Sequence, residues 1–370
     1  MPVFTPIEEA IEAFRNGEML IVVDDEDREN EGDLIIAAEK VTVEQMAFIV
    51  RYTGGVICVA TTENRLMELE LPQMVEHSQD PKKTAFTITI DYKHGTTTGI
   101  SAHDRCLTIN AVGNPKCQAS DFQRPGHVFP LRYRNGGVLT RNGHTEATVD
   151  LARLAGLYPA GALSEIVSDD GTMMRRPQLE VFSREHNIKM ITIADLIKYR
   201  YQQETLVSCI QTTSNVATQY GSFTVKLFKD LINSNTHLII QLGTPSSSSP
   251  YLVRVMNGCP LGLYLPQSGC NCFEVYNYVL QRIQKEGSGC VVILRNNNFN
   301  YEKDIESRST DNDNHPHMVN DPHLLGIGCQ ILNSIGIKHI KLLSVKNQQF
   351  PSISGYGLII DEVEHLPFNY

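Results

Sequence analysis

Residues 24–33 read Asp24-Asp25-Glu26-Asp27-Arg28-Glu29-Asn30-Glu31-Gly32-Asp33, seven carboxylates and one arginine in ten positions, set between the apolar runs Met19–Val23 and Leu34–Ala37. Both runs are short and rich in branched aliphatic residues, so strand, acidic loop, strand is the pattern. Upstream, Thr5-Pro6-Ile7-Glu8 is a capping box with proline at the first helical position, and its helix should stop near Asn16-Gly17. Downstream, Thr42-Val43-Glu44-Gln45 is a second capping box, opening a helix that ends at Thr53-Gly54-Gly55 before a strand, Val56–Val59. Helices and strands alternate through this half. The run Ile188–Arg200 predicts a short strand and a closing helix capped by Thr192, with Tyr201-Gln202-Gln203-Glu204 as a hinge.

A chain of 370 residues exceeds one ordinary hydrophobic core, and two domains are expected, 1–203 and 207–370. Hydrophobic residues make up 41% and charged residues 20%, the composition of a folded globular protein. A net charge of −10 argues against a nucleic-acid partner, which would call for a basic stripe. No apolar run approaches the ~20 residues that span a bilayer, so no membrane partner and a cytoplasmic location are expected. Nine cysteines at irregular spacing do not form a secreted disulfide framework and read as thiols or metal ligands.

The acidic loop admits two readings. A charged block ordinarily faces water as a solvated turn. Here strands pin both ends, and confined like charges imply a cation or a perturbed acid. Glu29, Glu31 and Asp33 alternate, so an extended backbone would aim all three one way, and oxygen ligands of this kind suit magnesium or manganese.

Arg141-Asn142-Gly143-His144-Thr145 immediately precedes a helix whose apolar positions include Ala147, Leu151 and Leu154, with Thr145 as its expected N-cap. A glycine turn entering a helix N-terminus presents N–H groups to an anion, and Arg141 adds a fork suited to phosphate. The plainer alternative is a capped helix with an exposed histidine. His127 falls in Arg124-Pro125-Gly126-His127, expected as a turn before Val128 and Phe129, and Glu165 falls inside an apolar strand, Ala162–Val167. Burial there would raise the proton affinity of Glu165 and suit it to acid or base work, unless its pleat faces solvent.

These strings, with Gly95-Thr96-Thr97-Thr98-Gly99-Ile100-Ser101 ending at Asp104-Arg105, Gly136–Arg141 and Gly143–Thr148, resemble the 3,4-dihydroxy-2-butanone-4-phosphate synthase family in order and separation over roughly residues 1 to 203. The resemblance implies a lyase that converts ribulose 5-phosphate to 3,4-dihydroxy-2-butanone 4-phosphate and formate in riboflavin biosynthesis. It implies Glu29 and His144 as magnesium ligands, with Arg28, Glu29, Asp33 and Arg141–Thr145 (Arg141, Asn142, Gly143, His144, Thr145) holding the sugar phosphate. His127 and Glu165 match catalytic positions, Glu165 also touching substrate, and Glu31 and Cys58 are expected to support the pocket. Homodimerisation is likewise implied, because lyase sites of this family include residues from both subunits.

In the second half, Phe223, Val225 and Leu227 alternate with polar residues before the run Leu238-Ile239-Ile240, Pro245–Pro250 encloses four serines as a loop, and Asn296–Asn320 reads as a long polar loop. Cys259, Cys270 and Cys272 have a spacing that could close on zinc, or are three core cysteines. The strand Leu252–Val255, this trio, Gly326–Leu332 and Gly355–Leu358 resemble GTP cyclohydrolase II over about 207 to 370. The match fails where that family's chemistry sits. Asn296-Asn297-Asn298 replaces its acidic residue and glycine-arginine-glycine turn, Asp321-Pro322-His323 its Asp-x-Arg pair, Gly269 its arginine between the cysteines, and Gly258, Val345 and Lys346 other polar contacts. Loss of so many contacts to a triphosphate implies an inactive domain that persists as a structural or regulatory partner. The alternative is a bifunctional enzyme that also has GTP cyclohydrolase II activity. The expected architecture is α+β: a mixed-sheet lyase domain with surrounding helices, followed by an α/β cyclohydrolase II-like domain.

Overall fold

The computed structural model describes residues 3–368 except 27, 83, 247–248, 258–261, 264–270, 296–321 and 346–356. The chain forms two compact units, Met1–Tyr199 and Arg200–Tyr370. The first unit runs α1 (Ile7–Arg15), β1 (Leu20–Val23), β2 (Gly32–Ala37), α2 (Val43–Tyr52), β3 (Cys58–Thr61), α3 (Glu63–Glu68), β4 (Ile90–Tyr92), α4 (Ala102–Val112), β5 (Phe122–Arg132), α5 (His144–Leu154), β6 (Ala160–Glu165), α6 (Arg176–His186), β7 (Lys189–Thr192) and α7 (Ile193–Gln203), the last crossing into the second unit.

Its seven strands form one mixed sheet in the order β4-β5-β3-β6-β2-β1-β7. β1 and β2 pair antiparallel, Val22 opposite Asp33, so the acidic loop is the connection of a hairpin. β2 pairs antiparallel with β6 and sets Asp33 opposite Glu165. β3 pairs parallel with β5, Cys58 opposite Phe129. β1, β2 and β3 bury every residue on both faces, as strands covered by helices must, with Ile21, Leu34, Ile36 and Val59 fully inside. Met46 and Ile49 of α2 add about 1.5–3 kcal/mol each by burial.

The second unit holds β8 (Val207–Thr218), β9 (Gly221–Asp230), β10 (Thr236–Leu242), β11 (Tyr251–Asn257), α8 (Cys272–Glu286), β12 (Gly289–Leu294), α9 (Pro322–Ser334), β13 (His339–Ser344) and β14 (Ile359–His365). The sheet order is β14-β13-β11-β12-β10-β9-β8, with β14, β13, β11 and β12 parallel and the others antiparallel. Mixed sheets flanked by helices in both units bear out the expected fold class.

Several local expectations shift. The Thr42 capping box forms in full, with Gln45 N donating to Thr42 Oγ1 and Gln45 Oε1 accepting from Thr42 N. The Thr192 cap also forms, accepting from Asp195 N at 3.0 Å. Pro6, not Thr5, is the N-cap of α1, and no side chain caps it. Arg124–His127 is no turn: it lies within β5, and its Arg124–Pro125 bond is cis. The hinge expected at Tyr201 is instead the end of α7, where Arg200 pairs with Glu204 and Gln330 Nε2 donates to the carbonyls of Tyr201 and Glu204. Cys272 is buried on the first turn of α8, whereas Cys259, Cys270 and the Asn296–Asn320 stretch lie outside the described residues, as do Gly258 and Gly269.

Candidate active site

The acidic loop closes on itself through Asp24. Its Oδ2 accepts from Arg28 Nη1 at 2.9 Å and from Glu29 N at 3.1 Å, and its Oδ1 accepts from Glu31 N at 2.8 Å. Asn30 takes a left-handed conformation, φ 56°, so the backbone reverses there. Glu29, Glu31 and Asp33 nonetheless all face one cavity, though by this turn and not by the extended alternation expected from their spacing.

That cavity is lined by four carboxylates (Glu29, Glu31, Asp33 and Glu165), two guanidinium groups (Arg28 and Arg141), His144 and Thr145, with Cys58, Thr84 and Phe86 among the remaining walls. Of the residues singled out from sequence, the fold thus gathers Arg28, Glu29, Asp33, Arg141, His144, Thr145 and Glu165. Asn142 is exposed, and neither it nor Gly143 is in the lining. His127 also stands outside it.

His144 opens α5, and Gly143, not Thr145, is the N-cap, so His144 and Thr145 already belong to the first helical turn. The ring is buried, and Nε2 lies 3.2 Å from the Val22 carbonyl. A carbonyl only accepts, so Nε2 carries the hydrogen and the Nδ1 lone pair points inward, 3.7 Å from Asp33 Oδ1 and 4.0 Å from Glu29 Oε2. Burial draws the imidazole pKa down to about 4 against the pull of Asp24, leaving a neutral ring. Burial also raises the Asp33 carboxyl well above its ordinary range, with Glu165, Glu31 and Glu29 adding repulsion. Asp33 Oδ1 is buried without a hydrogen-bond partner. An uncommitted oxygen, a crowd of carboxylates and an imidazole lone pair fit a hard divalent cation. Asp24, Glu29 and His144 offer ligand atoms within 4.8 Å of one another. Both Asp24 oxygens are already engaged by the loop, so its clearest contribution is to shape that loop.

Arg141, also in the lining, is immobilised. Nη1 donates to Glu146 Oε2 at 2.6 Å, Nη2 to Thr84 Oγ1 at 3.0 Å and Nε to the Lys82 carbonyl at 3.2 Å. A Cβ at Gly143 would stand 2.3 Å from Arg141 Nη1 and would displace the guanidinium. The first turn of α5 and this guanidinium offer donors of the kind that can receive an anion. Glu165 ends β6, half-buried and not in mid-strand as expected, and its Oε2 accepts from Val56 N at 3.0 Å.

Sequence reading missed Asp91. It lies on β4, and its Oδ2 is 2.7 Å from His127 Nδ1 while its Oδ1 accepts from His127 N at 2.9 Å. An acid between apolar residues of a short strand was the available signal, the same one that marked Glu165.

Comparison with known proteins matches both halves of the chain to families. The 3,4-dihydroxy-2-butanone 4-phosphate synthase family matches residues 8–199, and the GTP cyclohydrolase II family matches residues 209–367. Riboflavin biosynthesis protein RibBA of Aquifex aeolicus is 43% identical, covering 99% of this chain and 94% of its own. A chloroplastic bifunctional riboflavin biosynthesis protein of Arabidopsis thaliana is 42% identical, over 97% of this chain and 68% of its own. Among solved structures, a two-domain 3,4-dihydroxy-2-butanone 4-phosphate synthase from A. baumannii superposes with a TM-score of 0.79 at 34% identity, covering 99% of this chain and 100% of that one. A 3,4-dihydroxy-2-butanone 4-phosphate synthase in complex with two magnesium ions covers 54% of this chain and 98% of its own at 50% identity, TM-score 0.53. The chain accordingly belongs to the 3,4-dihydroxy-2-butanone 4-phosphate synthase family of riboflavin biosynthesis enzymes, joined to a domain of the GTP cyclohydrolase II family.

Proposed function

We propose that this enzyme is a single-activity lyase that converts ribulose 5-phosphate to 3,4-dihydroxy-2-butanone 4-phosphate and formate, with residues 1–203 as the catalytic domain and 207–370 as a companion without turnover. The observation that carries the reading is the cavity in which a cation-fitting set (Glu29, Asp33, His144) faces an anion subsite (Arg141, Thr145 and the start of α5). A sugar phosphate presents hydroxyls at one end and a dianion at the other. Glu29 and His144 would hold Mg2+ or Mn2+, Arg28 and Asp33 the sugar hydroxyls, and the Arg141–Thr145 corner the phosphate. A bound divalent cation acidifies hydroxyls and neutralises enediolate charge. Glu165, in the cavity, exchanges protons with the substrate carbons or oxygens within reach.

His127 does not line the cavity of its own chain, and its side chain is 44% exposed. That supports a homodimer in which each His127 serves the site of the other copy. The described cysteines are free thiols, and no described helix is long and apolar enough to cross a membrane, which supports a reducing compartment such as the cytoplasm. The A. baumannii relative of the same two-domain length is described as a two-domain synthase, which supports one activity. Zinc on Cys259, Cys270 and Cys272 remains part of the proposal for the second domain.

The purified chain with Mg2+ and ribulose 5-phosphate should release formate, and Glu29→Ala or His144→Ala should abolish it. Activity surviving both changes would defeat the assignment. The second reading, a bifunctional enzyme, is favoured by the cyclohydrolase match and the bifunctional relatives. Release of formate and pyrophosphate from GTP would establish it.

A further inference from the structure

Arg175 stands at the N-cap of α6, where its backbone N–H donates to Gln178 Oε1 at 2.9 Å. Its guanidinium reaches the acidic loop, 145 residues earlier in the chain. Nη1 donates to the Glu29 carbonyl at 2.7 Å and to the Asn30 carbonyl at 2.5 Å. Those two carbonyls belong to the two peptide groups that flank Asn30, the residue at φ 56° where the loop reverses. Gripping both fixes the dihedral angles between them. The peptide joining Asn30 to Glu31 is held at both ends, its N–H by Asp24 Oδ1 and its carbonyl by Arg175.

This bears on cation binding because a reversed backbone at a residue other than glycine is an uncommon conformation that the surroundings must enforce. Asp24 holds the loop by its N–H groups and Arg175 by its carbonyls. Without the second grip, Glu29 and Glu31, pushed apart by their own charges, would sample conformations that leave the cavity. The cation would then supply the ordering itself, at the expense of affinity. Arg175 also brings a positive charge to the back of a wall built from carboxylates, which steadies it before any cation arrives.

We propose that Arg175 is a positioning residue for divalent-cation binding, presetting the acidic loop through the two peptides around Asn30. The proposal rests on Glu29 and His144 being the metal ligands. Its test is direct Mn2+ binding to the full-length chain, followed by the electron paramagnetic resonance signal of free Mn2+ and accompanied by thermal unfolding without metal. Arg175→Gln should weaken Mn2+ binding about tenfold or more, the usual scale for groups that orient metal ligands. Arg175→Lys, able to reach one carbonyl at a time, should lose less. Gln178→Ala removes the side chain that accepts the Arg175 N–H at the helix start, and Arg176→Gln removes a neighbouring exposed charge paired with Glu180. Both should bind Mn2+ as the unaltered chain does.

Unchanged affinity in Arg175→Gln overturns the proposal, and so does an equal loss in Gln178→Ala, which would mean that only the helix cap matters. Should Arg175→Gln fail to fold, Arg175→Lys decides, and full affinity there overturns the clamp. Failure of the metal-site reading looks different: Mn2+ binding by the unaltered chain would be absent, or would survive Glu29→Ala with His144→Ala.

Discussion

His127 Nδ1 stands 2.7 Å from Oδ2 of Asp91, and Oδ1 of the same carboxylate accepts the backbone N–H of His127 at 2.9 Å. A carboxylate can only accept here, so the ring hydrogen sits on Nδ1 and Nε2 is left as the proton acceptor. Asp91 is itself buried, with 7% exposure, so this is a held orientation and not a loose surface pair. Asp91→Asn keeps the shape but can offer an amide hydrogen to Nδ1 and reverse the tautomer. Formate production should fall about a hundredfold or more, on the scale of lost acid–base catalysis, in kcat and with KM little changed. A steady-state assay on ribulose 5-phosphate decides, and an unaltered kcat would remove Asp91 from the machinery.

Gly99 adopts φ +90°, and a Cβ there would stand 2.1 Å from Asp91 Oδ2 and 2.6 Å from His127 Nδ1. Gly99→Ala therefore combines left-handed strain, about 1–2 kcal/mol, with displacement of the His127–Asp91 pair. A drop in kcat larger than in Asp91→Asn, with a lowered unfolding midpoint, is expected. A melt and an activity matching the unaltered chain would contradict the close packing.

Glu146 is 1% exposed, and its two oxygens accept from Arg141 Nη1 at 2.6 Å and Arg134 N at 3.2 Å. Glu146→Gln keeps the size and releases the charge that aims Arg141. If Arg141 meets the phosphate, KM for ribulose 5-phosphate should rise about tenfold, the value of one weakened charge-assisted contact, with kcat less affected. A change confined to kcat would place Arg141 elsewhere in the reaction.

Asp104 caps the loop that carries Gly99. Burial works to raise its pKa, but bonds from Thr97 Oγ1, at 2.8 Å, and from Gly99 N, at 2.9 Å, outweigh this and hold it below the usual carboxylate range. A depressed folded-state pKa contributes stability above the unfolded value, about 3.9, that is lost as pH falls through the folded one. Urea unfolding should show a gap between the unaltered chain and Asp104→Asn that is constant near neutrality and narrows below about pH 4. A gap independent of pH would mean that the side chain acts by shape alone.

What the sequence by itself determined is what local forces decide. The hairpin around the acidic loop follows from two apolar strands at fixed spacing, and the caps at Thr42 and Thr192 from side chains within three residues of the N–H groups they bind. Glu29, Asp33, Arg141, His144 and Glu165 were legible because each motif is contiguous and chemically loaded. Tertiary structure decided the rest. Asp91 meets His127 across 36 residues and Arg175 meets the acidic loop across 145, contacts that no periodicity encodes. The extended alternation expected for Glu29, Glu31 and Asp33 gave way to a left-handed turn at Asn30, because Asp24 accepts the loop's N–H groups while Arg175 donates to its carbonyls. His127, read from its motif as a catalytic position, stands outside the cavity of its own chain, since only the sheet registers decide which ends of β4, β5, β2 and β6 come together.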